Sequence, residues 1–155
     1  KKLHYIGFSR AEEISLIRYR GLIDACKKRG LSTPNLTIVD TIDQIDPDFV
    51  LNAISQGTRA LLAFNDLVAV RIFAAALEAN INIPEDCALT GFDNSPVLRL
   101  ATRRIDTVSL STWKLGQESG LWLKKSIIDR ERTDLAKRIP LSYVKGETVF
   151  SKNDL

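Results

Sequence analysis

The chain has 155 residues, 45% hydrophobic and 26% charged, which are ordinary values for a soluble globular protein and enough for one domain with its own core. Net charge is +3 with Lys and Arg spread along the chain, so there is no basic cluster of the kind a DNA-binding surface carries. No stretch approaches the ~18 apolar residues of a membrane span. The two cysteines, Cys26 and Cys87, read as buried thiols rather than a disulfide at such sparse usage. The first residue is Lys1 rather than Met, and the expectation is a piece of a longer parent.

Leu3 to Phe8 reads as a buried strand. Ser9-Arg10-Ala11-Glu12 has capping-box spacing, which predicts a helix from there to about Arg29, with Gly30 as its C-terminal cap. Ile14, Ile17, Leu22, Ala25 and Cys26 form its apolar face. Gly21 lies in mid-helix, where it costs about 1 kcal/mol relative to Ala, and close packing on a sheet would explain it. Leu36 to Val39 is a short strand. Asp46-Pro47 then opens a helix that Gly57 ends, with Phe49, Val50, Ala53 and Ile54 inward.

A strand at 60–64 follows, and Asn65 caps a helix of about 66–79. Val70, Phe73, Ala74 and Leu77 form one stripe, but Leu67, Val68, Ala69, Ile72, Ala75 and Ala76 make this helix apolar nearly all round. Such a helix is buried on more than one side, which favours a subunit contact on its outer face. With residues 95–102, the expected two-fold contact comprises Val70, Ile72, Phe73, Leu77, Val97 and Leu98. Residues 87–92 form the next strand, 95–104 a loop or short helix, and 105–109 an extended connector. Ser111 or Thr112 caps a helix to about Asp129, with Leu115, Trp122, Leu123 and Ile127 on one face. Arg130 to Arg138 is a charged turn, 139–144 a last strand, and the tail from Ser151 is expected to fray. The strand-helix alternation predicts an α/β fold with a doubly wound parallel sheet in three αβα layers.

The stretch from 60 to 94 carries the candidate site. Two short apolar runs flank the helix, and each ends in polar residues, Asn65-Asp66 and Asp93-Asn94. Ligands of open α/β sheets bind beyond the carboxyl ends of strands, so four small polar side chains should gather at one rim. Phe64-Asn65-Asp66-x-x-Ala69, Ile83-Pro84-Glu85-Asp86 and Gly91-Phe92-Asp93-Asn94, in this order, resemble the effector-binding domain of the LacI/GalR transcriptional regulators. Periplasmic sugar-binding proteins share that periplasmic-binding-protein-like fold, whose lobes are flavodoxin-like. The resemblance covers nearly the whole chain and matches the C-terminal part of the domain.

The resemblance implies that Arg18, three residues before Gly21, hydrogen-bonds the effector; its fork of donors suits vicinal hydroxyls or a carboxylate. It implies that Asn65 donates to and accepts from a sugar hydroxyl, and that Asp93 accepts from two. Asp66 and Asn94 are read as structural. Three departures stand out. The stretch Thr41 to Ile45 lacks the aromatic that many members carry after the second strand. Arg104-Ile105-Asp106-Thr107-Val108 stands where the family usually has Pro-Leu-Thr-Thr-Val. The usual Arg near the end of the last strand is replaced within Val144 to Thr148.

Enzyme readings fare poorly. His4 is the only histidine and sits inside a strand, so no Ser-His-Asp or Cys-His set can be built without it. Neither a zinc spacing nor a phosphate loop occurs, and no metal or cofactor is expected. The resemblance therefore implies part of a cytoplasmic LacI-type regulator that binds a small effector, a sugar or sugar derivative, and forms a homodimer. Residues 1–104 and 136–150 would form the C-terminal lobe. Residues 105–135 would cross to the other lobe, and operator DNA would be reached only through a headpiece outside this chain. The runner-up is a periplasmic sugar-binding protein of a transport system.

Overall fold

The computed structural model describes residues 2–130 and 138–150. Strands β1 (Lys2–Phe8), β2 (Asn35–Val39), β3 (Thr58–Ala63) and β4 (Ala88–Thr90) pair in parallel in the order β2-β1-β3-β4. Helices α1 (Glu12–Lys28), α2 (Pro47–Ser55) and α3 (Asp66–Glu78) connect them. Right-handed crossovers put α2 and α3 on one face, where they touch, and α1 on the other. Single parallel bridges, Thr90 to Asp106 and Asp93 to Ser109, carry the sheet on into β5 (Thr107–Ser109). There β6 (Ser142–Val144) pairs with it antiparallel. Helix α4 (Thr112–Ile127) lies between β5 and β6 in the chain. This is the expected doubly wound α/β sheet, whose winding reverses between β1 and β3.

The strands carry the apolar runs that a sheet covered on both faces needs. Ile6, Val39, Leu61 and Leu89 meet Val50 of α2 and Val68 and Ile72 of α3 in one core. Asp46 caps α2 by accepting from Phe49 N at 2.7 Å, with Pro47 in the first turn. Both cysteines are buried and free. His4 is buried in β1, its Nε2 2.9 Å from Thr37 Oγ1, and burial lowers its pKa.

Several local expectations need correction. Ser9 to Ala11 form a 3-10 turn, and α1 starts at Glu12 without a side-chain cap. The reason is Ser15, whose hydroxyl accepts from Phe8 N at 3.1 Å and returns a bond to Phe8 O at 3.2 Å, stitching helix to strand. Ile14 and Ile17 are 50% and 57% exposed whereas Ser15 is buried, so the first half of α1 is rotated from its expected apolar face, while Cys26 of that face is buried as expected. A Cβ built on Gly21 meets nothing within 4 Å. The close approach is instead at Gly7 of β1, where a Cβ would lie 3.1 Å from Ser15 Cβ.

Helix α3 is also rotated. Val68, Ala69, Ile72, Phe73, Ala75 and Ala76 are buried, while Leu67 and Leu77 face out and Val70 is half-buried. Ile72 and Phe73 thus belong to this chain's own core and cannot form an outward subunit contact. The helix is gripped by the sheet, by α2 and by the 3-10 turn Pro96–Leu100. That triple grip accounts for its buried apolar residues and leaves Leu67 and Leu77 on the outward side. Strands β4 and β6 are shorter than the expected 87–92 and 139–144. Residues 131–137 of the expected charged turn Arg130 to Arg138, the 135/136 lobe boundary and the tail from Ser151 lie outside the described residues.

The connection from β4 into β5 is closed by Asp106, which is fully buried. Its carboxylate accepts from Thr148 N at 2.8 Å, Val149 N at 3.1 Å and the Tyr143 hydroxyl. Thr148 Oγ1 accepts from Asp106 N at 2.9 Å and donates to Leu89 O at 2.7 Å. Gly146 lies so close that a Cβ would stand 2.3 Å from Arg104 O. Burial pushes the Asp106 carboxyl up, but the bonds from Tyr143, Gly146 and Thr148 outweigh it and hold the carboxyl below its ordinary value. Burial and the Asp106 charge push Tyr143 up to about 12. A depressed carboxyl contributes stability that is present above the ordinary carboxylate pKa of about 4 and is lost as pH falls through the lower folded value. Asp106→Ala leaves buried donors unpaired and should cost about 1–3 kcal/mol. Hydrogen exchange should report faster exchange at Thr148 and Val149 in the variant, with the core strands less affected, and an unfolding curve less sensitive to acid than wild type.

Candidate functional site

In open α/β sheets a winding reversal such as that between β1 and β3 marks the ligand-binding edge, at the carboxyl ends of the strands. Helix α1 places Arg18 at that edge, beside the end of β3. Arg18 Nη1 donates to Phe64 O, and Nη2 stands 3.7 Å from Asp93 Oδ1. The guanidinium carbon lies 3.8 Å from the Phe92 ring centroid and 4.7 Å from that of Phe64. The arginine side chain is 24% exposed and that of Asp93 43%.

Asn65 sits at the tip of β3 in extended backbone, and its Oδ1 accepts from Val68 N at 3.0 Å. This is the expected cap of α3. The neighbour Asp66 is buried and wholly structural. Its Oδ2 accepts from Ser95 N at 2.6 Å and its Oδ1 from the Thr107 hydroxyl at 2.6 Å. Asp93 and Asn94 take positive φ, 104° and 55°, which turns the chain sharply after Phe92. Backbone bonds hold that turn: Gly91 N to Asp106 O at 2.7 Å and Asp93 N to Val108 O at 2.8 Å. The Asp93 carboxyl is pushed up by burial, Arg18 opposes this, and Asp66 adds to it.

The residues singled out in the sequence are therefore neighbours: Arg18 touches Asp93 and the carbonyl that precedes Asn65. What the sequence reading lacked was the pair of rings on Arg18 and the network of Asp66, Thr107, Asp106, Tyr143 and Thr148. The departure at Asp106 was the one visible trace of the latter. Chemically the rim offers a cationic fork, an amide and a carboxylate side by side. No helix among the described residues is long and apolar enough to cross a membrane.

Gly91 shows how tightly the rim is built. A Cβ there would lie 2.3 Å from Asp66 Oδ1, and that carboxylate is pinned from two sides. Gly91→Ala should therefore force a shift of the 91–95 turn and destabilise the fold by about 1–3 kcal/mol. Urea unfolding at neutral pH measures this, and a variant as stable as wild type would contradict it.

Comparison with known proteins adds a family to this geometry. The model of the periplasmic binding protein-like domain matches residues 1–149. The NTD biosynthesis operon regulator NtdR of Bacillus subtilis (strain 168) is 35% identical over 68 residues, 44% of this chain and 21% of that protein. A LacI family transcriptional regulator from Arthrobacter sp. FB24, solved in complex with lactose, is 20% identical with a TM-score of 0.77, covering 95% of this chain and 57% of that one. The lac repressor dimer, solved bound to operator and the anti-inducer ONPF, is 16% identical with a TM-score of 0.78, covering 97% of this chain and 53% of that one. The chain thus spans about half the length of these solved regulators and about a fifth of the curated one. The family model matches nearly the whole chain and agrees with the fold: the chain belongs to the periplasmic binding protein-like domain family.

Proposed function

We propose that this chain is the effector-binding and dimer-forming part of a LacI-type transcriptional regulator, and that its effector is a small polar molecule, a sugar or sugar derivative, held by Arg18, Asn65 and Asp93. The observation that carries the reading is the approach of Arg18 Nη2 to Asp93 Oδ1 at 3.7 Å, on the rim where sheets of this kind bind ligands. That distance exceeds a hydrogen bond. A ligand hydroxyl can accept from the arginine and donate to the carboxylate at once, satisfying both. The Asp93 charge beside Arg18 disfavours an anionic effector. The lactose complex of a similarly folded regulator supports the choice of a carbohydrate.

In this reading residues 1–104 and 136–150 form one lobe and residues 105–135 cross to a second. Effector binding changes the closure of the lobes, which biases paired headpieces toward or away from operator DNA, a two-state switch. The parent works in the cytoplasm, where its DNA is, and binds rather than transforms its ligand. Helix α4 fits this assignment: none of its residues is buried, with Trp113 74% and Ile127 70% exposed. The second lobe would cover them. The dimer contact uses the outward side of α3, Leu77 and the half-buried Val70, together with Val97, Leu98 and the exposed Leu100.

Calorimetry on the intact regulator tests the site. Asp93→Ala and Arg18→Ala should each weaken effector binding by about 1–3 kcal/mol, because the partner hydroxyls lose a charged hydrogen-bonding group. Affinities equal to wild type in both variants refute the assignment. Sedimentation tests the assembly. Leu77→Asp adds a charge to an exposed position, so the fold should survive while the dimer weakens; an unchanged mass places the contact elsewhere.

A further inference from the structure

We propose that Phe92, with Phe64 beside it, is a positioning residue that turns Arg18 into a fixed, edge-on donor; its functional meaning rests on the effector-site reading above. A free arginine side chain is long and samples many rotamers, and ordering it on ligand binding costs affinity. Here the side chain is held by this chain's own groups. The Phe92 ring lies 3.8 Å from the guanidinium carbon and the Phe64 ring 4.7 Å away, both within cation–π reach. Nη1 is anchored on Phe64 O, so the group cannot slide along the rings. The Nη2 edge is left beside Asp93.

Phe92 can serve as a clamp because its own backbone is immobilised. Its carbonyl accepts from Asp66 N at 2.9 Å, and the flanking amides of Gly91 and Asp93 are bonded to Asp106 O and Val108 O. The ring therefore holds a set position relative to α3 and β5. Two consequences follow for recognition. With rings packed on the guanidinium, Arg18 offers its in-plane N–H groups rather than a stacking surface, so flat aromatic effectors gain little from it. Acceptors lying in the guanidinium plane, such as adjacent hydroxyl oxygens, gain most.

The test uses the 155-residue protein, labelled with 15N, and reads the Arg18 side chain by NMR without any ligand. In wild type the Arg18 Nη protons should be shifted to high field by ring currents, and slow rotation about Nε–Cζ should split them. Phe92→Leu should remove the high-field shift and speed the rotation at least tenfold, while Phe92→Tyr keeps both. Urea midpoints near wild type establish that the variants are folded. Wild-type signals already averaged and unshifted overturn the proposal, and so does a Phe92→Leu protein whose Arg18 signals match wild type. The wild-type spectrum decides even where the leucine variant fails to fold. Titration of the intact regulator and its Phe92 variants with lactose then separates the two readings. Tighter binding to wild type and Phe92→Tyr than to Phe92→Leu supports the clamp in its role. No lactose binding alongside the expected spectra supports the clamp while counting against a carbohydrate of that kind.

Discussion

One buried carboxylate organises the rim. Asp66 opens α3, is 1% exposed, and accepts from Ser95 N and the Thr107 hydroxyl. Its own amide donates to Phe92 O. A buried charge is tolerable only when such partners surround it, and the positive end of the α3 dipole adds to them. Three segments distant in sequence are thereby tied to one point: the turn after β3, the turn after β4, and the start of β5. Asn65, one residue earlier, can face outward because Asp66 has taken the inward role.

The same tie explains how an energetically unfavourable turn persists. Asp93 at φ 104° is outside the regions that a non-glycine residue prefers, a cost of order 1–3 kcal/mol. Bonds from Gly91 and Asp93 to the β5 connector offset that cost. The carboxylate consequently stands beside Arg18 without searching for it. Preorganisation of this kind lowers the entropy lost when a ligand is bound. Its source is the crossover strand, so a change in how that strand is held is felt directly at Asp93.

Much of this was legible in the sequence, for identifiable reasons. Periodicity marked the strands and helices because a sheet covered on both faces imposes apolar runs. The caps at Asp46 and Asn65 were readable because capping is local chemistry. The rotations of α1 and α3 were not, because both helices carry apolar residues on several sides and only tertiary packing selects among them. Ser9 was read as a helix cap, whereas Ser15 ties the start of α1 to the end of β1 through a contact that crosses from helix to strand. Spacing rules within a helix do not encode such a contact. At the candidate site, Arg18, Asn65 and Asp93 were proposed by resemblance, and the structure places Arg18 beside Asp93. The rings around Arg18 were not, since a phenylalanine at a strand end reads equally well as core. Asp106 was visible as a departure, but its donors come from about forty residues further along the chain, and no local pattern joins them.

Gly146 has an evolutionary consequence. The backbone at 104–106 occupies the space where its side chain would begin, with Arg104 O and Asp106 N inside 3 Å of a built Cβ. In this lineage any side chain at 146 must wait until the neighbouring backbone has withdrawn, and Asp106 holds that backbone in place. Substitutions here are therefore contingent on order: a side chain at 146 can follow a change that moves the backbone at 104–106 and cannot precede it.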